Sequence, residues 1–311
     1  MAVENRMQRA KIGLALGSGA ARGWAHIGVI EALEQAGVHP DVVCGSSIGA
    51  LVGAAYVAGK LGELKSWALT LSWRRMMTLL DIRLTGGGLV NGNAIMRQLR
   101  NMGLNRRIEE YDIPFAAVAA ELSTGHEVWI REGPIDEAIR ASISLPGILS
   151  PARLDGRWLL DGGLVNPVPV SLCRALGADV IIAVNLNADF FEARGSATAA
   201  MRSRRLEEET SHRVVNAPKG KTEEVAIRLL QGGRSAPGYF DVLVTALNIM
   251  QDQITRARLA GEPPQVLLIP RLTGIGPMDF NRAKEGIERG RAAVSHALPA
   301  LHQAVNLPSD L

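Results

Sequence analysis

Val42-Val43-Cys44-Gly45-Ser46-Ser47-Ile48-Gly49 is the stretch of this sequence that predicts the fold most directly. Its β-branched start is typical of a buried strand, and the small residues that follow lead into a helix-like run from Ala50 to Gly59. The G-x-S-x-G pattern predicts a sharp strand-to-helix turn with Ser47 at its apex. Gly45 and Gly49 would flank that serine because side chains there would collide where strand and helix meet. Ser47 is therefore a candidate nucleophile near the positive end of a helix, or else only a capping serine in a tight turn.

The chain before this turn predicts a first strand, a loop and a helix. Lys11 to Leu16 is an apolar run, and Trp24 to Ala36 carries apolar residues at helical spacing until Gly37. This order predicts two parallel strands joined by a right-handed crossover. The loop between strand and helix would then lie at the same sheet edge as Ser47, where open α/β sheets place their binding sites.

The loop itself, Gly17-Ser18-Gly19-Ala20-Ala21-Arg22-Gly23, allows three interpretations. It could present backbone N–H groups to an anion or a developing oxyanion. It could be a dinucleotide-binding loop, although Arg22 stands where the third glycine belongs and Asp41 precedes the next strand instead of ending it. It could also be a turn without a ligand. A G-x-S-x-G motif on the next strand favours the first interpretation.

Composition excludes several classes of protein. Of 311 residues, 47% are apolar and 4% aromatic, which suits helices packed closely on a sheet. The net charge of +3 without clustered basic residues does not indicate a nucleic-acid partner. Cys44 and Cys173 are expected to be buried thiols in a reducing compartment. No signal peptide and no apolar run of about 18 residues is evident, so we expect a cytoplasmic protein without a transmembrane helix.

The remainder of the chain predicts a hairpin, further strands and two late helices. Two segments stand out. Lys60 to Leu84 is helix-like and rich in apolar residues, including Trp67 and Trp73, which would form core or an apolar flap over the site. Residues 188–237 are polar and mixed in charge, which predicts a mobile insertion within the domain.

A serine nucleophile needs a base within hydrogen-bonding reach. Six histidines are candidates: His26, His39, His126, His212, His296 and His302. None follows a late strand after a suitable acid, as the usual serine hydrolase order requires. Asp161 is the alternative, because it follows the apolar strand Arg157 to Leu160 and precedes two glycines. A partly desolvated carboxylate can act as the base directly, although Asp-Gly is also a common turn.

Three motifs in this order resemble the patatin-like phospholipases, specifically the bacterial branch related to neuropathy target esterase. They are the loop at 17–23, the G-x-S-x-G at 45–49 and Asp161-Gly162-Gly163. Ser142 to Pro146 also resembles the S-x-x-x-P block of that family. The resemblance covers residues 11–185 and, more loosely, the rest. It implies a three-layer αβα sandwich with a mainly parallel central sheet, forming one domain over residues 10–305.

The resemblance also implies roles for individual residues. Ser47 would be the nucleophile and Asp161 its partner in a Ser–Asp dyad without histidine. The loop would supply oxyanion-hole donors, although Ser18 and Ala20 stand where glycines are common in the family. The implied loop residues are Gly17, Ser18, Gly19, Ala20 and Arg22, with Gly45, Gly49, Gly162 and Gly163 supporting the turn and the dyad. No metal and no organic cofactor is implied.

The sequence thus predicts a serine acyl hydrolase that acts on lipid esters, as a phospholipase or lysophospholipase. Two other functions stay open: a nucleotide- or phosphate-binding protein that uses the loop at 17–23, and a catalytically silent adaptor with the same fold. Because the predicted substrate is a lipid and no spanning helix is evident, we expect the protein to contact an anionic membrane surface weakly and in a salt-sensitive manner. Each well-placed Lys or Arg contributes about 1 kcal/mol there.

Overall fold

A central mixed sheet organises the fold. The structure, a computed structural model, describes residues 9–72, 92–188 and 239–305. Its strands in these ranges are β1 (Ile12–Leu16), β2 (Val42–Ser46), β3 (Phe115–Glu121), β4 (Glu127–Ile130), β5 (Ala152–Leu154), β6 (Arg157–Asp161), β7 (Val180–Val184) and β8 (Val266–Leu268). The α-helices are α1 (Ala25–Gln35), α2 (Ile48–Val57), α3 (Leu61–Leu69), α4 (Asn93–Asn101), α5 (Ile135–Ser142), α6 (Val170–Ala175), α7 (Tyr239–Gly261) and α8 (Ala283–Val305).

The strands are ordered β5-β6-β3-β2-β1-β7-β8, with β4 paired to β3 outside that path. The five strands β3, β2, β1, β7 and β8 pair in parallel, whereas β4, β5 and β6 pair antiparallel. The prediction of a mainly parallel sheet is therefore confirmed. The predicted pairing of the first two strands in parallel is confirmed as well, with Leu16 opposite Gly45.

Strand β3 brings two distant segments together. Its residues 115–118 pair with β2, and its residues 119–121 pair with β6. Strand β4 pairs with residues 117–120 and so occupies the opposite edge. Consequently β2 and β6 share one edge of β3 and run toward each other, with Ser46 opposite Val118 and Asp161 opposite Ala119. The ends of the two strands must therefore meet.

Side chains on the two faces of the sheet belong to two separate apolar cores. The larger core contains alternate residues such as Leu14, Val43 and Ile182 together with α1, α2 and α8. The smaller one contains the intervening residues, such as Ala15 and Cys44, packed against α6. Helices thus cover both faces of the sheet, as the predicted three-layer sandwich requires. Both cysteines are buried free thiols, as expected.

Most predicted elements are present with shifted ends, and one is shorter than predicted. The helix expected from Lys60 to Leu84 ends at Leu69, and Thr70 to Ser72 are not helical. Trp67 packs edge-on against the buried Trp24, with ring centroids 6.0 Å apart, so it belongs to the core. Trp73 and the rest of the proposed flap lie outside the described residues. The predicted insertion at 188–237 lies outside them too, apart from Ala188.

Within the three described ranges, no helix combines enough length with enough apolar character to cross a bilayer.

Glycines allow α1 and α8 to cross at close range. A Cβ atom on Gly290 would collide with the carbonyl oxygen of Ala25, and one on Gly28 with that of Ile287. Gly286, one turn earlier on α8, has room, since its Cβ would lie 3.5 Å from the nearest atoms of α1 and its flank. The close contact therefore depends on particular glycines and not on the glycine content of α8 in general.

We expect Gly290→Ala to destabilise the protein by about 1–3 kcal/mol, because the added methyl group would force α8 away from α1. Gly286→Ala is the matched control on the same helix. It should be neutral or stabilising by up to about 1 kcal/mol, because alanine favours the helix. Urea unfolding followed by circular dichroism measures both. Equal effects of the two substitutions would contradict the proposed close crossing.

Candidate active site

Ser47 occupies a strained position between β2 and α2. Its backbone has φ 57° and ψ −124°, in the region of positive φ that residues other than glycine seldom adopt. The neighbouring glycines leave no room for a side chain. A Cβ on Gly45 would overlap the backbone of Gly49 and Ala50, and one on Gly49 would overlap the backbone of Leu16 and Gly17. The chain can therefore turn this sharply only with glycine at both positions.

The hydroxyl of Ser47 donates a hydrogen bond to the carboxylate of Asp161. The Oγ to Oδ2 distance is 2.6 Å, within the range typical of a charge-assisted O–H···O bond. The other carboxylate oxygen, Oδ1, accepts the backbone N–H of Gly163 at 2.7 Å. This pairing follows from the sheet, because β2 and β6 end against each other on the edge of β3. Asp161 is 1% exposed.

Burial raises the pKa of Asp161 from 3.8 to about 7, although the hydrogen bonds from Ser47 and Gly163 act to lower it. Desolvation destabilises the charged carboxylate more than those two donors stabilise it. Near neutral pH the group is therefore poised between its proton-accepting and proton-donating forms.

The segment from Ser142 to Ser144 holds both members of this pair. The Oγ of Ser142 accepts the backbone N–H of Ser47 at 2.9 Å. The carbonyl oxygen of Ser144 accepts the backbone N–H of Asp161 at 3.0 Å. Both serines are buried. In the sequence, this segment was notable only because it resembles the S-x-x-x-P block of the family. The spacing of its residues gave no indication that it contacts Ser47 and Asp161.

Several backbone donors of the loop at 17–23 already have acceptors within the protein. The N–H groups of Gly17 and Ser18 donate to the carbonyl oxygens of Val184 and Pro167, and that of Arg22 donates to Gly19. Among the described residues, the N–H groups of Gly19 and Ala20 meet no acceptor. The same holds for Ile48, the first residue of α2 after Ser47. Three backbone donors are therefore available to a ligand near Ser47.

Helix α7 fixes the side chains of this loop. The Oγ of Ser18 donates to Oε1 of Gln251 at 3.0 Å, and the Nη2 of the buried Arg22 donates to Oδ1 of Asn248 at 2.7 Å. Sequence analysis did not identify either amide as part of the site. The available signal was a run of polar residues at helical spacing in an otherwise apolar stretch. These buried polar residues are Asn248, Gln251, Asp252 and Thr255.

His26 supports the loop from below. Its Nε2 lies 2.8 Å from the carbonyl oxygen of Gly17, and its side chain is fully buried. Burial lowers the pKa of His26 to about 4, so the ring is neutral at pH 7 and donates from Nε2. Among the described histidines, none hydrogen-bonds to Ser47 or Asp161; His212 lies outside the described residues.

A cleft at Ser47 is lined by both apolar and polar residues. Its lining consists of Ser18, Gly19, Ala20, Ser47, Leu145, Val244, Leu247, Asn248, Gln251 and Pro277. Such a lining suits an amphiphilic molecule. Within the described ranges, no cluster of three or more His, Cys, Asp or Glu side chains could hold a metal ion.

Comparison with known proteins identifies the class. The sequence model of the family described as "Patatin-like phospholipase" matches residues 14–174, and the chain belongs to this family. An uncharacterized NTE family protein of Mycobacterium tuberculosis is 34% identical over 93% of this chain and 92% of its own length. The chain therefore falls in the NTE-related part of the family, as the motifs predicted.

Two further relatives match a shorter region. Human patatin-like phospholipase domain-containing protein 6 is 34% identical over 56% of this chain and 13% of its own length. Lysophospholipase NTE1 of Coccidioides immitis is 36% identical over 57% of this chain and 12% of its own length. Together with the family, these similarities support lipid hydrolase activity for the chain.

The buried carboxylate predicts that stability depends on pH. Because the pKa of Asp161 is raised on folding, the native state holds the proton more tightly than the unfolded chain does. The stability that this group contributes is complete below pH 3.8 and is lost as pH rises to about 7. Asp161→Asn removes the titration and keeps an oxygen that can accept the N–H of Gly163.

We therefore expect Asp161→Asn to be more stable than the parent protein by about 2–4 kcal/mol at pH 8, with the gain vanishing near pH 4. Denaturant unfolding at the two pH values measures this difference. If Asp161→Asn were less stable than the parent protein at pH 8, burial would not destabilise the charged carboxylate as proposed.

Proposed function

We propose that this protein is a serine acyl hydrolase that cleaves lipid esters through an acyl-enzyme, with Ser47 as nucleophile and Asp161 as its base. The observation that carries the proposal is the 2.6 Å hydrogen bond between Ser47 Oγ and the buried Asp161 carboxylate. A nucleophile bonded directly to a base is the arrangement that activates a hydroxyl group.

In the first half of the reaction, Ser47 Oγ attacks the ester carbonyl carbon while Asp161 Oδ2 takes its proton. The carbonyl oxygen becomes an oxyanion, and the N–H groups of Gly19, Ala20 and Ile48 would stabilise it. Gly17, Ser18 and Arg22 would act indirectly by holding the loop. The tetrahedral intermediate then collapses, and the protonated Asp161 gives its proton to the departing alkoxide.

In the second half, a water molecule attacks the acyl-enzyme carbonyl carbon. Asp161 accepts a proton from this water and returns it to Ser47 as the fatty acid leaves. A pKa near 7 suits this alternation, because the same group must accept and release a proton twice in each cycle. No histidine is needed.

We further propose that residues 10–305 form one catalytic domain and that the substrate is reached at a lipid surface by peripheral contact. A phosphate-binding function for the loop at 17–23 is disfavoured. The carboxylate of Asp161 lies beside the same cleft and would repel an anion when ionised.

Ser47→Ala should abolish hydrolysis of a short p-nitrophenyl ester and labelling by a fluorophosphonate probe, because the nucleophile is lost. Ser46→Ala is the matched control. Ser46 is fully buried, and its hydroxyl meets no hydrogen-bond partner within the described residues. Its loss should leave labelling, activity and the melting temperature nearly unchanged. If Ser46→Ala were the inactive variant, Ser47 would not be the nucleophile.

The value of kcat/KM should rise with pH through an apparent pKa of about 7, because Asp161 must be ionised to accept the proton of Ser47. Asp161→Asn should lose at least about 10²–10⁴-fold in kcat, since an amide cannot act as a base. Pre-steady-state and steady-state assays between pH 5 and pH 9 measure both.

Single replacements of His212, His296 and His302 by Gln serve as controls and should keep most activity. If one histidine variant were as inactive as Asp161→Asn, the result would support a triad that includes this histidine and would contradict the Ser–Asp dyad.

A further inference from the structure

Helix α7 forms one wall of the cleft, although it lies outside the region matched by the family model. It contributes Val244, Leu247, Asn248 and Gln251, which recur at i, i+3, i+4 and i+7 and therefore share one face. The first two are apolar and the last two are polar. At a rise of 1.5 Å per residue, the helix face changes from apolar at Val244 to polar at Gln251 over about 10 Å of the cleft.

Most polar atoms of this face already have partners. Oδ1 of Asn248 accepts from Arg22, and its Nδ2 donates to the carbonyl oxygen of Val244 at 2.7 Å. Oε1 of Gln251 accepts from Ser18 Oγ at 3.0 Å and from Asn187 Nδ2 at 3.4 Å. The Nε2 of Gln251 is different, because it meets no acceptor among the described residues.

The surroundings of Gln251 fix the direction in which this donor lies. A Cβ atom built on Gly163 would be 2.6 Å from Gln251 Nε2 and 3.0 Å from Asp161 Oδ1. The amide nitrogen and the Asp161 carboxylate therefore both lie next to Gly163. An N–H donor is favoured beside a carboxylate and a carbonyl oxygen is not, which supports this orientation of the amide. The absence of a side chain at Gly163 gives the amide its space.

Resting on the hydrolase function proposed above, we infer that α7 sets the direction of the substrate in the cleft. Val244 and Leu247, with Leu145 and Pro277, contact the acyl chain. Gln251 Nε2 donates a hydrogen bond to an oxygen of the alcohol portion of the ester, near the atom that Asp161 protonates as the alcohol leaves. The enzyme therefore selects acyl esters whose alcohol portion carries a further oxygen, such as a glycerol hydroxyl, over simple alkyl esters.

The test compares two esters of one fatty acid, monododecanoylglycerol and ethyl dodecanoate, dispersed in the same nonionic detergent. Only the first has hydroxyl groups next to the ester. Gln251→Met also loses the contact with Ser18, which should affect both esters by the same factor. Beyond that shared loss, it should lower kcat/KM for the glycerol ester about 10- to 100-fold more than for the ethyl ester. Gln251→Glu keeps an oxygen for Ser18 and Asn187 but removes the donor. Gln251→Glu should also reduce the ratio of kcat/KM for the glycerol ester to kcat/KM for the ethyl ester.

Two controls separate this role from support of the loop. Ser18→Ala breaks the contact from the loop side and keeps the donor, so it should affect both esters by the same factor. Leu247→Ala should lower kcat/KM for both dodecanoyl esters by the same factor. It should leave kcat/KM for the corresponding butanoyl esters nearly unchanged. An unchanged ester ratio in both Gln251 variants, whether or not overall activity falls, would overturn the inference while leaving the hydrolase intact. A parent protein that cleaves neither ester and is not labelled at Ser47 would instead overturn the proposed function and, with it, this inference.

Discussion

Everything at the site depends on the way that β3 pairs with two strands along a single edge. Strand β2 occupies its first half and β6 its second, in opposite directions. A serine just past the end of one strand and an aspartate at the end of the other are thereby forced into contact, 114 residues apart in the sequence. The hydrogen-bonded backbone of these strands fixes the positions of the serine and the aspartate, so neither side chain has to be held by a flexible loop. The cost of this placement is a carboxylate in a site almost sealed from water.

The parts of this arrangement that the sequence revealed are those with local signals. The strand, turn and helix around Ser47 follow from β-branched residues, glycine spacing and a small-residue helix. Asp161 had a local signal as well, an apolar strand followed by two glycines. What no spacing could show is the pairing of β6 with the far half of β3, because antiparallel register between distant strands is decided by tertiary packing. The resemblance to a known family supplied that connection.

Other features escaped sequence analysis for a different reason. Ser142 accepts a hydrogen bond from the backbone of Ser47, and Gln251 accepts hydrogen bonds from Ser18 and Asn187. Buried polar side chains of this kind are specified by partners that lie far away in the chain. The tryptophans after Lys60 show a different limit of the sequence. Their apolar character suggested either core or flap, and only the contact of Trp67 with Trp24 decides for core at that position.

The close crossing of α1 and α8 has a consequence for the biosynthesis of the enzyme. Helix α1 follows the loop beside Ser47 directly, yet its outer surface is covered by residues some 260 positions later. At about 5–20 residues per second, a ribosome needs roughly 10–50 s to make that interval. During this time α1 has an uncovered apolar surface, and the loop that it carries lacks its final support. A nascent chain therefore cannot assemble a finished site until α8 has emerged.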